Sequence, residues 1–179
     1  MNFRSLLKRY QDHYFALSDA HAQDRAAELA VGGDFHPVGA LEYFILKANG
    51  LKDDTFVLDV GCGTGRLGHQ LAKRQHRQYA GYDIVQSAVD HARKLCAMPD
   101  WTFGVTDGVG IALPDASVDL ACFFSVFTHI QHEHTFLYLK EMHRLLQPGG
   151  VVIFTFLEYK IPSHWTMFEA AVRNFVAEA

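Results

Sequence analysis

The sequence predicts an α/β domain built on a doubly wound, mostly parallel sheet. Three observations carry this expectation. Between residues 56 and 156, apolar runs of strand length alternate five times with stretches of helical periodicity. The central runs are apolar throughout, as strands covered on both faces must be. The first run ends in an acid and then glycines at alternate positions, Asp59-Val60-Gly61-Cys62-Gly63-Thr64-Gly65, before a helical pattern with Leu67 and Leu71 on one face. That is strand, glycine loop, helix. Right-handed crossovers follow, with the strand order reversing beside the first strand, and ligands of such sheets bind outside the carboxyl ends of the strands at that switch point.

The elements read in order. Phe3, Leu6, Leu7 and Tyr10, then Tyr14 and Leu17, recur at helical spacing, so residues 2–31 read as helix, with Ser18 or Asp19 able to cap a second helix through Ala30. Gly32-Gly33 stops it. Pro37 suits the first turn of the next helix, which runs to about Asn49 and ends at Gly50. The first strand is Phe56–Val60. The second is about Gln78–Tyr82, ending at Asp83. A helix from Ser87 holds Val89, Ala92 and Leu95 inside and breaks at Pro99-Asp100. A short strand, Trp101–Val105, ends at Thr106-Asp107, and Leu113-Pro114-Asp115 is a loop. Val118–Phe124 is the fourth strand. Phe136–Leu146 is an amphipathic helix stopped by Pro148-Gly149-Gly150, Val151–Phe156 is the fifth strand, and Trp165–Glu178 the last helix. No linker or repeat interrupts the chain. Residues 1–179 therefore read as one domain, with 1–50 a helical cap and 51–157 the core.

Composition narrows the function. The 179 residues are 49% hydrophobic and 20% charged, ordinary for a globular domain with a real core. A net charge of −4 disfavours a general nucleic-acid footprint. No stretch approaches the ~20 apolar residues of a membrane span, and the first residues lack a signal peptide's apolar segment. Cys62, Cys96 and Cys122 show no metal spacing and read as reduced thiols of a cytoplasmic protein. No metal is expected. His132, Glu133 and His134 sit at a solvated helix start, too closely spaced to ligate from one helix face.

The glycine loop lets the backbone turn tightly and approach a ligand, and leads to helix N–H groups that favour an anionic group. Gly63, Gly65 and Gly68 fit the dinucleotide spacing G-x-G-x-x-G, a weak signal alone. The fuller string from Asp59 to Gly65 resembles motif I of the class I S-adenosylmethionine-dependent methyltransferases, and Leu145-Leu-Gln-Pro148-Gly149-Gly150 resembles the turn before their fifth strand. The resemblance covers about residues 51–157. It implies a Rossmann-like fold, S-adenosyl-L-methionine as methyl donor and a small-molecule acceptor. It also implies roles. Asp59 and the Gly61, Cys62, Gly63 and Gly65 backbone would hold the donor's amino-acid end. Asp83, beside Ile84, would accept both ribose hydroxyls. Asp107 would accept from the adenine amino group, with Gly108 reaching the ring. Ser125 opens the segment after strand four, where the methyl group and acceptor should meet.

In that segment His129 is the candidate base, because an unperturbed histidine titrates near neutrality. Phe35 and Tyr43 could close over the cofactor, although core packing explains both. Two departures from the family pattern matter. No Asp-Pro-Pro-Tyr, Asn-Pro-Pro-Tyr or Pro-Cys follows strand four, which disfavours the DNA-methylating branches. The family sheet adds two strands after the fifth, and Leu157–Ala179 reads as a loop and one helix. Strand five would then be an apolar sheet edge, so the chain is expected either to self-associate there as a homodimer or to be a shortened form of a longer enzyme. Two other readings stand beside methyl transfer: a non-catalytic S-adenosylmethionine-binding or interaction domain, and a nicotinamide (NAD)-dependent oxidoreductase.

Overall fold

A computed structural model describes residues 34–106 and 108–177, together with Lys8 and Asp12. The helices expected over 2–31, apart from those two positions, and Asp107 lie outside the described residues. The elements in order are α1 Phe35–Ala48, β1 Val57–Val60, α2 Arg66–Ala72, β2 Tyr79–Asp83, α3 Gln86–Cys96, β3 Thr102–Val105, β4 Val118–Phe123, α4 His132–Leu145, β5 Leu146–Phe154 and α5 Pro162–Ala177. Among the described residues the sheet is five-stranded and parallel throughout, in the order β3-β2-β1-β4-β5. From β1 the chain steps outward twice to β3, then returns to the other side of β1 for β4. That reversal leaves a crevice at the carboxyl ends of β1 and β4.

Alternate residues of each strand point to opposite faces. On one face Val57, Tyr79, Leu120 and Cys122 pack with Leu46, Leu67, Leu71 and Val89 from α1, α2 and α3. On the other, Leu58, Val60, Tyr82 and Phe123 pack with Tyr138, Met142 and Leu145 of α4. Each such side chain contributes about 1.5–3 kcal/mol by leaving water. Gly104 sits opposite Tyr82 in the β2–β3 register, and a Cβ there would stand 2.5 Å from the tyrosine ring. A bare position on the edge strand thus makes room for the ring.

Three boundaries differ from the sequence reading by three residues or more, each for a physical reason. The fourth helix begins at His132 rather than Phe136. Its first turn is polar and carries Glu133, which suits the positive helix end but has no apolar periodicity to reveal it. The last helix begins at Pro162 rather than Trp165, since proline fits a first helical turn. The run Pro148-Gly149-Gly150 is a bulge inside β5 rather than a turn before it. Val118 pairs with Leu146 and Leu120 with Val151, so the extra residues of β5 loop out opposite Asp119, with Gly149 at φ 86. The Asp119 carboxylate fastens that bulge, accepting from the Phe56 N–H at 2.6 Å and from the Gln147 side-chain amide. β5 forms the sheet edge, with Val151 and Phe154 exposed along it and Phe156 just beyond.

Candidate functional site

The loop after β1 holds three left-handed glycines, Gly61, Gly63 and Gly65, at φ 78, 52 and 93. Two of them are also closely packed. A Cβ on Gly61 would lie 2.4 Å from Val126 Cγ2, and one on Gly65 would lie 3.0 Å from Ala92 Cα. The loop is therefore pressed between α3 and the segment that follows β4. Its entry continues the sheet, with the Gly61 and Cys62 N–H groups both donating to the Tyr82 carbonyl at 2.7 and 3.1 Å. Cys62 is buried, and burial pushes its thiol well up. Gly68 serves packing: a Cβ there would meet Cys96 Sγ at 3.0 Å and the Tyr79 hydroxyl at 3.2 Å.

Asp83 closes β2. Its Oδ2 accepts the Gly63 N–H at 2.8 Å, and its Oδ1 accepts the Val85 N–H at 3.0 Å. Burial raises its pKa, while the N–H donors of Val85, Gly63 and Ile84 oppose that. Each carboxylate oxygen keeps a further acceptor site. The pair fits two adjacent hydroxyls, as on a ribose. Ile84 packs beside Val85 and Ala88 at the start of α3. After β3 the Thr106 hydroxyl faces the carbonyls of Gly108 and Gly110 at 2.7 and 3.0 Å, and the Gly108 N–H donates back to it at 3.2 Å. A Cβ on Gly108 would meet nothing within 4 Å, so the loop is open there. These features fit an adenosine-bearing cofactor: an acceptor pair at the end of β2, a side-chain-free loop after β1 and open backbone after β3.

Asp59 lies under the loop. It is 3% exposed, with Oδ2 accepting the Tyr79 hydroxyl at 2.8 Å and Oδ1 facing the Cys122 thiol at 3.7 Å. Cys122 is its direct cross-strand neighbour, and Tyr79 reaches it across Gly81, where a Cβ would be 2.9 Å from the hydroxyl. Burial chiefly pushes Asp59 up to about 7; the Tyr79 bond opposes this and the nearby Glu42 charge adds to it. Glu42 itself, on α1, forms a buried ion pair with Arg66 at 2.5 Å. Gly39 lets α1 approach, since a Cβ there would sit 2.9 Å from the Arg66 carbonyl. Phe35 is buried against His36 and His69, and Tyr43 lies under the Arg74 guanidinium at 3.9 Å.

The segment after β4 joins the loop to β5. Ser125 is exposed and left-handed, at φ 61, and its N–H donates to Thr155 Oγ1 at 2.8 Å. A serine held in that conformation is strained backbone of the kind found at functional sites. The Val126 side chain rests on Gly61, and the Phe127 ring stacks near Phe123 and Phe154, at 4.6 and 5.3 Å. His129 closes a turn, its N–H donating to the Val126 carbonyl at 3.0 Å, with its side chain exposed. The structure thus brings Gly61–Gly65, Asp83, Ile84, Gly108 and Ser125 to one end of the sheet, with Asp59 behind them. Val126 and Thr155 were not singled out in the sequence, although their place after strands four and five was a signal. Tyr79 and Cys122 had none beyond their apolar strands.

Comparison with known proteins agrees with this geometry. A family described as the methyltransferase domain matches residues 57–150. The chain is 34% identical over 105 residues to 2-methyl-6-phytyl-1,4-hydroquinone methyltransferase of Synechocystis, covering 58% of this chain and 32% of that protein. It is 34% identical over 101 residues to malonyl-[acyl-carrier protein] O-methyltransferase of Serratia marcescens, covering 56% and 38%. Among solved structures, a TehB-like SAM-dependent methyltransferase from Corynebacterium glutamicum aligns with a TM-score of 0.61 at 25% identity, over 88% of this chain and 82% of that one. The chain spans about a third of the length of the curated relatives it matches.

Asp59 gives the site a pH dependence. Its folded pKa, about 7, lies above the ordinary 3.8, so the folded state holds the proton more tightly than the unfolded chain. Its contribution to stability is fully present below pH ~4, falls as pH rises to about 7 and is level above that. Asp59→Asn keeps the shape without the charge. The variant should match the parent near pH 4 and exceed it by about 4 kcal/mol above pH 7. Urea unfolding from pH 4 to 8 measures this, and parallel curves would show that ionising Asp59 costs the fold nothing.

Proposed function

The chain belongs to the methyltransferase-domain family, the class I S-adenosylmethionine-dependent fold, and on that premise we propose that it transfers a methyl group from S-adenosylmethionine to a small-molecule acceptor. The observation that carries the reading is the Asp83 carboxylate at the end of β2, bonded to Gly63 of the loop. When bound, the donor supplies a methyl group already activated by its sulfonium and leaves as S-adenosylhomocysteine. The rest falls to the chain. Asp83 holds the ribose hydroxyls, with Ile84 beside it. The backbone of Gly61, Cys62, Gly63 and Gly65 receives the amino-acid end, with Asp59 supporting the loop from beneath. Asp107 and Gly108 take the adenine. Ser125 and the residues after it face the acceptor, and His129 takes the proton that a hydroxyl acceptor loses. Alignment and exclusion of water account for most of the rate, since the methyl carbon needs no further activation. The Synechocystis relative, named for a hydroquinone, supports a small-molecule acceptor. No described helix is long and apolar enough to cross a membrane. A cytoplasmic location is proposed from the three free, buried cysteines.

Asp83→Ala leaves the ribose hydroxyls without an acceptor. Donor binding should weaken by about 1.5–3 kcal/mol, roughly ten- to a hundredfold, in titration calorimetry of the folded variant. Unchanged affinity would remove Asp83 from the site. Appearance of S-adenosylhomocysteine during turnover tests the reaction itself, and its absence with every acceptor class would favour a binding domain.

His129→Ala should lower kcat by about a hundredfold or more with little change in donor affinity, because a base acts in the transition state. Equal loss of donor binding would make the residue structural.

The exposed edge of β5 is proposed to pair with a second copy of the chain. Its run Val151-Val152-Ile153-Phe154 carries neither charge nor proline to block such pairing. Light scattering should give twice the chain mass at micromolar concentration, and a stable monomer would overturn the pairing.

A further inference from the structure

The loop after β3 is gripped from one side by α4. Tyr138, Glu141 and Arg144 lie on successive turns of that helix, and all three reach the loop. The Tyr138 hydroxyl donates to the Gly108 carbonyl at 3.3 Å. Glu141 Oε1 accepts the Ile111 N–H at 3.0 Å, and Arg144 Nη2 donates to the Ile111 carbonyl at 3.0 Å. One peptide position is thus held at both its donor and its acceptor, much as a neighbouring strand would hold it. Arg144 Nη1 donates to the Leu113 carbonyl at 3.0 Å and to Asp115 Oδ1 at 2.6 Å. Its remaining donors go to Glu141, Nε to Oε2 at 3.0 Å and Nη2 to Oε1 at 2.5 Å. All five guanidinium N–H groups have acceptors, a geometry that only the planar arginine fork provides. Where the helix ends, the carbonyls of Arg144 and Leu145 accept the Ala116 and Ser117 N–H groups at 2.9 and 2.8 Å.

Such a grip exceeds what a surface loop needs. An exposed connection of this length could satisfy its backbone with water. Here a buried tyrosine, a half-buried glutamate and an arginine are spent on fixing the backbone from Gly108 to Asp115. Among the described residues the loop is left open at Gly108 and Gly110, where an added Cβ would meet nothing within 4 Å, on the carboxyl side of the sheet. We propose that Tyr138, Glu141 and Arg144 are positioning residues that hold the loop after β3 in the shape that receives the donor's base, without touching it. This rests on the proposed donor. The three residues act on the base end alone, since the amino-acid and ribose ends belong to the glycine loop and Asp83.

That separation makes the test. Calorimetry on the folded chain compares S-adenosylhomocysteine with S-ribosylhomocysteine, which lacks the base, in the parent and in Glu141→Gln and Arg144→Lys. The parent should prefer the adenosyl ligand strongly. Each variant should lose roughly tenfold of that preference while binding the ribosyl ligand as the parent does. Tyr138→Phe, which removes a single hydroxyl, should move a few-fold in the same direction and keeps the test open if the charge variants do not fold. Hydrogen exchange supplies a reading without ligand, since the Ile111 amide should lose protection in Glu141→Ala, which removes its acceptor. A parallel fall in both affinities, or an unchanged preference, overturns the positioning role. A parent that binds neither ligand overturns the proposed donor and this inference with it, so the two failures are distinct.

Discussion

The hydrogen bond from the Gly63 N–H to the Asp83 carboxylate, 2.8 Å long, joins the loop after β1 to the end of β2. It needs a left-handed backbone at Gly63 and a strand end that delivers its carboxylate at the height of the loop. The parallel register supplies the second condition. Asp59 pairs with Gly81, and Val60 with Tyr82, so the loop leaves β1 as Asp83 closes β2. The site is therefore a consequence of register. A one-residue slip would turn Asp83 to the opposite face of the sheet.

Beneath that bond lies an unusual amount of buried polarity. Asp59, Tyr79 and Cys122 share one hydrogen-bonded group, and the Glu42–Arg66 pair stands close enough for the Glu42 charge to act on Asp59. Apolar side chains of similar size would fold as well and without desolvation cost. The polar set instead supports the glycine loop from beneath. Arg66 directly follows Gly65 and is tied by Glu42 to α1, so the cap helix is fastened to the end of the loop. Order in the loop is thus shared between the sheet and the helix that precedes it.

Much of this was legible in the residues themselves. Apolar runs locate strands because a parallel sheet buries both faces, and an acid with alternating glycines marks the left-handed turn that follows the first strand. What escaped were contacts between positions distant in sequence. Asp59 reads as a strand-end acid, and nothing in the sequence says that Tyr79 and Cys122, 63 positions on, face its oxygens from beneath. Pro148-Gly149-Gly150 reads as a turn because both residue types favour one, and only the pairing of Val118 with Leu146 makes it a bulge. Glu141 and Arg144 were not singled out, since periodicity separates polar from apolar faces but does not say what a polar face meets.

The grip of α4 on the loop after β3 also ties together the parts of the carboxyl end of the sheet. The helix whose side chains grip the loop after β3 is also the helix entered directly from the segment holding Ser125 and His129. Its apolar face, through Tyr138, Met142 and Leu145, is sunk in the core against Leu58, Val60 and Phe123. A packed helix moves as a unit, because close packing does not deform continuously. The loop after β3 is therefore fixed to the body that carries Ser125 and His129. The same segment presses Val126 onto Gly61. The loop after β1, the loop after β3 and the segment after β4 then share one frame, and their spacing depends on how α4 seats on the sheet rather than on any one loop. The proposed in-line transfer would be sensitive to displacements near an ångström, so the seat of α4 is where substitutions remote from the reacting atoms would be felt.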